Sequence, residues 1–224
     1  YVGNVSHELK TPIFSIQGYI ATLLDGGIDD PAINTKYLEK ADKAIQRMTS
    51  IVRDLDAITR LETGELKPDK TNFNIITLVK EVFEAQEFLA QSHKVTLILE
   101  AIHDKPIMVC ADRKYIHMVL SNLTANAIKY NISEGGKVTV KFYDMDAFLL
   151  IEVVDTGIGI PQSDQKRIFE RFYRVDRSRS REQGGTGLGL SIVKHIIEAH
   201  EQTIHVKSTI NKGSSFTFTL EKSK

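Results

Sequence analysis

Apolar residues fall into two textures along this chain. Val2, Val5, Leu9, Pro12, Ile16, Tyr19 and Leu23 step by threes and fours, the a/d seam of an amphipathic helix. The turn residues of Asp25-Gly-Gly-Ile-Asp-Asp-Pro31 break that pattern. A second seam follows at Tyr37, Ala41, Ala44, Met48, Ile51, Leu55 and Ile58, and Gly64 ends it. The spacing predicts two helices of about 24 and about 30 residues folded as a hairpin. A lone hairpin cannot bury both seams together with the flanking Ile13, Ile20, Ile45 and Val52. Two hairpins paired as a four-helix bundle would bury them, which predicts a homodimer. Packing on the rest of the same chain is the alternative.

Thr63-Gly-Glu-Leu-Lys-Pro-Asp-Lys-Thr71 reads as a linker. It divides the chain into a helical domain at 1–64, a linker at 65–71 and a second domain at 72–224. Beyond it the texture changes. Asn74 can cap a helix over 75–92, and helices are expected at 113–130 and 188–200. Strand-like runs lie at 94–100, 107–110, 137–143, 148–154, 203–208 and 215–220. The pattern predicts an α+β two-layer sandwich, with one mixed sheet and helices on one face.

Composition narrows the classes. The 224 residues are 42% hydrophobic and 26% charged, ordinary for globular domains. Lys+Arg and Asp+Glu both number 29, so no basic surplus argues for nucleic acid as the main partner. The single cysteine, Cys110, excludes an internal disulfide and reads as a strand residue. No run of 18 apolar residues spans a membrane. The chain begins abruptly at Tyr1, inside a helical pattern, and so reads as the cytoplasmic end of a longer protein.

Four segments carry candidate chemistry. In His7-Glu-Leu-Lys-Thr-Pro12, the heptad register puts His7 at f, facing solvent, with Thr11 one turn on and Glu8 adjoining. A neutral imidazole with a carboxylate to accept its other ring N–H suits a nucleophile. A zinc reading of His-Glu-x-x-His fails because the last position is Thr11. In Asn122-Leu-Thr-Ala-Asn126-Ala-Ile-Lys129-Tyr130, the two amides share a helix face. Asp155-Thr-Gly157-Ile-Gly159 follows a strand. Gly184-Gly185-Thr186-Gly187-Leu188-Gly189 opens a helix, where converging N–H groups favour phosphate. It is not a Walker loop, because no Lys-Ser/Thr follows, and no preceding strand makes it a dinucleotide fingerprint. Between Pro161 and Gly184 lie Lys166, Arg167, Arg171, Arg174, Arg177, Arg179 and Arg181 with Phe169, Phe172 and Tyr173. This stretch reads as a lid whose aromatics can dock on the helical domain.

In this order and spacing the four segments resemble the sensor histidine kinases of two-component signalling, over nearly the whole chain. The second domain resembles the ATP-binding fold those kinases share with the Hsp90 chaperone, gyrase-type topoisomerases and mismatch-repair ATPases, which lack a hairpin bearing His-Glu-x-x-Thr-Pro. The resemblance implies ATP-dependent phosphorylation of His7 and transfer to an aspartate of a response regulator. It implies Glu8 as the acceptor beside His7, and Thr11 as the residue orienting water for dephosphorylation of that partner. Asn126 would hold Mg²⁺ with Asn122 beside it, Lys129 would meet phosphate and Tyr130 would lie near adenine. Asp155 would accept from the adenine amine, with Gly157 and Gly159 admitting the base. Gly185, Thr186, Gly187, Leu188 and Gly189 would wrap the phosphates. A membrane anchor and sensor are expected upstream. A dimeric scaffold or phosphatase with little kinase output, and an ATPase switch without phosphohistidine, are the competing readings. One departure stands out: relatives put glycine after Glu198-Ala-His200, where this chain has Glu201.

Overall fold

A computed structural model describes residues 2–62, 67–101, 105–132, 134–175 and 185–223. The helical hairpin forms as the two seams require. Helix α1 spans Val2–Leu24 and α2 spans Asn34–Glu62, joined through a short 3₁₀ turn at Gly27–Asp29. Pro12 lies inside α1 and is buried. Tyr19 and Tyr37 close the hairpin edge-to-face, ring centroids 5.6 Å apart.

The second unit contains β1 (Thr71–Asn74), α3 (Ile75–Ser92), β2 (Val95–Glu100), β3 (Met108–Ala111) and α4 (Arg113–Lys129). There follow β4 (Gly136–Met145), β5 (Phe148–Asp155), α5 (Gly189–Ala199), β6 (Ile204–Thr209) and β7 (Gly213–Lys222). The seven strands form one sheet in the order β1-β3-β7-β5-β4-β2, with β6 also pairing with β7. Among the described residues only β2 and β4 run parallel; the other pairs are antiparallel. Inward residues alternate along β4 and β5 (Val138, Val140, Phe142; Leu149, Ile151, Val153), and these meet the apolar stripes of the three helices in one core. The α+β two-layer sandwich is therefore as the sequence implies.

Two details differ from the expectation. Thr71, given to the linker, opens β1 and pairs with Ala111. Residues 65 and 66 of that linker, and Gly64, lie outside the described residues. Helix α2 also packs on α5, so Ile51 and Ile58 are fully buried in the core of the sheet unit, with Leu55 and Leu9 packed against it. Part of the second seam is thus covered by the chain's own second unit. Ile13, Ile20, Ile45 and Val52 stay exposed.

At the end of α5, Glu201 sits in the left-handed region at φ 62°, and Gln202 N–H donates to Ile197 O at 3.0 Å. The αL turn that usually takes glycine is built on a side-chain residue, at a cost of about 1 kcal/mol. No described helix is long and apolar enough to cross a membrane.

Candidate active site

The site grows from α4. Asp112 caps it, its carboxylate accepting from Lys114 and Tyr115 N–H at 3.0 and 3.1 Å and from Asp69 N–H at 3.0 Å. With Ile116, Val119, Leu120 and Leu123 turned into the core, Asn122, Asn126, Lys129 and Tyr130 are left half-buried on the cleft side. Asn122 Nδ2 donates to Met118 O at 2.9 Å. Its Oδ1 lies only 2.7 Å from where a Cβ on Gly189 would stand, so glycine there lets α5 begin beside Asn122 without displacing its amide. Burial lowers the Lys129 pKa and raises that of Tyr130, which the nearby Arg174 pulls the other way.

Asp155 ends β5 and is 8% exposed. Burial pushes its carboxyl up to about 6, against the opposing pull of two backbone donors. Those donors are Gly157 N–H at 2.7 Å and Ser214 N–H at 3.2 Å, both to Oδ1. A carboxylate kept this far from water, with one oxygen held by the backbone, suits a single polar contact inside an apolar slot. Gly159 lies between Ile158, whose N–H donates to Tyr130 O at 3.1 Å, and Ile160, whose N–H donates to Ser208 Oγ at 2.8 Å. The Asp155 segment is thereby tied to the last turn of α4.

The glycine-rich segment leads into α5 beside Asn122. Gly187 has φ 74°, and a Cβ there would stand 2.9 Å from Phe172 Cα. Its carbonyl accepts from Phe172 N–H at 2.8 Å, and the Arg174 side chain lies alongside. Thr186 Oγ1 accepts from Leu188 N–H at 3.2 Å, and Gly185 precedes it; Gly184 lies outside the described residues. Of the expected lid, Arg177, Arg179 and Arg181 also lie outside them. Phe169 packs edge-to-face on Phe216 of β7, centroids 6.4 Å apart, so this aromatic docks within the sheet unit rather than on the helical hairpin.

The hairpin reaches this cleft. His7 is exposed, as its f position requires. Thr11 Oγ1 donates to His7 O at 3.2 Å, an ordinary bond of a helical threonine to the preceding turn. Glu8 Oε2 accepts from Arg47 at 3.2 Å and from Arg174 at 3.0 Å, so its carboxylate faces two guanidinium groups. Asp54 Oδ2 accepts from Thr186 Oγ1 at 3.1 Å. The His7 segment and the glycine-rich segment are therefore bridged inside one chain, through Glu8 and Arg174. Sequence reasoning did not single out Arg47, Asp54 or Gly213, whose missing side chain lets β7 pass close to Asp155 O. The polar Asp54 between seam positions Ile51 and Leu55 was the available signal.

Residues 111–224 match the family described as "Histidine kinase-, DNA gyrase B-, and HSP90-like ATPase", and residues 1–64 match the "His Kinase A (phospho-acceptor) domain". The chain belongs to the sensor histidine kinases of two-component systems. Among the relatives of this histidine kinase, sensor histidine kinase WalK of Bacillus subtilis is 34% identical over 98% of the chain and 36% of its own length. Sensor-like histidine kinase SenX3 of Mycobacterium tuberculosis is 36% identical over 98% of the chain and 53% of its own length. This chain thus spans about a third to a half of those proteins. Among solved structures, Acinetobacter baumannii histidine kinase AdeS superposes with a TM-score of 0.78 at 26% identity, covering 97% of this chain and 98% of that one. Histidine kinase ThkA in complex with response regulator protein TrrA gives 0.71 at 27% identity, covering 99% of this chain and 61% of that one.

Proposed function

We propose that this chain is the catalytic core of a sensor histidine kinase that moves the γ-phosphoryl group of ATP to His7 and then to an aspartate of a response regulator. One observation carries the reading: Glu8, next to the exposed His7, is joined to Arg174, which lies against Gly187 of the glycine-rich segment. The nucleophile and the phosphate-handling loop meet in one chain.

In this reading Asp155 accepts from the adenine amine through its carboxylate, and Tyr130 borders the base. The loop from Gly185 to Gly189 and the first N–H groups of α5 hold the phosphates, with Lys129 adding charge. Asn126 sits one turn from Asn122 on the same half-buried helix face, and its amide oxygen would fit a magnesium ion that otherwise takes water and phosphate oxygens. The ion supplies charge neutralisation on the phosphates. A ring nitrogen of His7 forms the new N–P bond as the bond from γ-phosphorus to the bridging oxygen breaks and ADP leaves. Glu8 accepts the other ring N–H and steadies the positive charge that develops there. Thr11 would orient water in the reverse sense, removing phosphate from the regulator.

The regulator as partner is supported by the ThkA complex with TrrA. A homodimer is supported by the apolar groove left on the hairpin, about 450 Å³, lined by Ile13, Ile16, Ile45, Met48 and Val52. The chain's relatives are sensor proteins longer than itself, and we place it as the cytoplasmic part of a membrane-anchored bacterial protein. Incubation with γ-labelled ATP and magnesium tests the chemistry. Label that is acid-labile, base-stable and lost in His7→Gln is expected. Undiminished label in His7→Gln would contradict the assignment.

A further inference from the structure

Two acidic side chains of the hairpin hold groups that the proposed kinase needs for nucleotide. Arg174 lies against the glycine-rich segment and donates to Glu8, with its side chain only 7% exposed. Thr186, inside that segment, donates to Asp54 while accepting from Leu188 N–H at the start of α5. Both acids come from the hairpin, one from each helix, and both partners belong to the cleft. A carboxylate offers a guanidinium and a hydroxyl the same anionic acceptor that a phosphate offers.

We propose that the docked hairpin is a built-in competitor of nucleotide, its Glu8 and Asp54 carboxylates taking the place of phosphate on Arg174 and at Thr186. Resting on the kinase reading, this adds a regulation to it. Nucleotide and hairpin docking oppose each other because a triphosphate arriving at the α5 N-terminus meets the Asp54 charge and bids for Arg174. The exchange has a catalytic consequence: Arg174 leaves Glu8 for phosphate, and the carboxylate beside His7, still met by Arg47, gives up one of its two guanidinium partners and gains room to accept the ring N–H. Burial holds the Asp54 carboxyl above its ordinary pKa, with the Thr186 bond pulling the other way, so this anion sits in a costly place. Tilting the hairpin, as an upstream signal would, then sets nucleotide affinity by linkage.

The test is equilibrium binding of a non-hydrolysable ATP analogue with magnesium to the full chain, wild type beside Asp54→Asn and Asp56→Asn. Asparagine at 54 keeps an acceptor for Thr186 and removes only the charge. Asp56 is exposed on the same helix, paired only loosely with Arg60 at 4.0 Å. Asp54→Asn should bind the analogue about tenfold more tightly, within the range of ordinary coupling, and Asp56→Asn should match wild type. Small-angle scattering should show the wild type expanding when the analogue is added, the reciprocal of the same coupling. Unchanged or weaker binding by Asp54→Asn, an equal gain in Asp56→Asn, or no expansion would overturn the proposal. Binding needs no phosphoryl transfer, so the two readings fail separately. A chain that shows this competition but never labels His7 loses only the kinase assignment. Normal labelling with no gain in Asp54→Asn removes only the competition. Absence of binding in every variant removes both.

Discussion

The two faces of the hairpin are built from the same residue types and meet different fates. On one face Ile51 and Ile58 are sealed at 0% exposure against the sheet unit. On the other, Ile45 is 51% and Val52 54% exposed, and Ile13, Phe14 and Ile20 are exposed with them. A soluble surface rarely leaves so many large apolar side chains together unless something covers them. The contrast teaches that one face packs against the sheet unit of the same chain. The other is left uncovered by the chain itself, and the proposed homodimer would cover it. Polar residues mark the difference: Glu8 and Asp54 reach the sheet unit, where Arg174 and Thr186 meet them, and Arg47 also donates to Glu8.

The largest effect should come from the open face. Charging it with Ile13→Glu and Val52→Glu buries unpaired carboxylates in any bundle and should weaken self-association at least about a thousandfold, about 4 kcal/mol. Sedimentation equilibrium reads this; an unchanged mass would show that the face is not the seam between copies. On the sealed face, Ile58→Ala should cost about 2–5 kcal/mol in denaturant unfolding while self-association persists. A loss of self-association equal to that of the first variant would erase the distinction between faces.

Asp155 sharpens the comparison from a place touching neither face. Its folded pKa of about 6 exceeds the ordinary carboxyl value of 3.8, so the folded chain binds the extra proton between those values. Stability therefore falls as pH rises through that window, with a full cost of about 3 kcal/mol above it. Asp155→Asn should flatten this slope, gain about 2 kcal/mol at neutral pH and lose nucleotide binding. Parallel pH–stability curves for the two proteins would contradict it. The smallest change is Glu201→Gly, which relieves the left-handed backbone and should raise stability by about 0.5 kcal/mol with both faces untouched. Thermal unfolding measures it, and a lowered midpoint would show that Glu201 pays its way through other contacts.

Much of this arrangement was legible from local pattern. Helix α3 follows from Asn74, whose side chain accepts from Ile76 N–H at 3.1 Å. Periodicity placed the seams, and the shared face of Asn122 and Asn126 follows from helical spacing alone. Strand β1 escaped because its four residues carry one apolar side chain, Phe73, and pair only with β3 along this sheet edge. The seam's division was also invisible, since Ile51 and Val52 are equally apolar and only the position of α5 decides which is covered. Arg174 and Glu8 stand 166 residues apart, and no local pattern joins them.

Peptide mapping of the full chain after incubation with ATP and magnesium at neutral pH bears most directly on the kinase reading. It predicts one added phosphoryl group on the peptide containing His7, absent from Asn126→Ala. Phosphate on any other residue, or none on His7 while nucleotide is bound and hydrolysed, would contradict it.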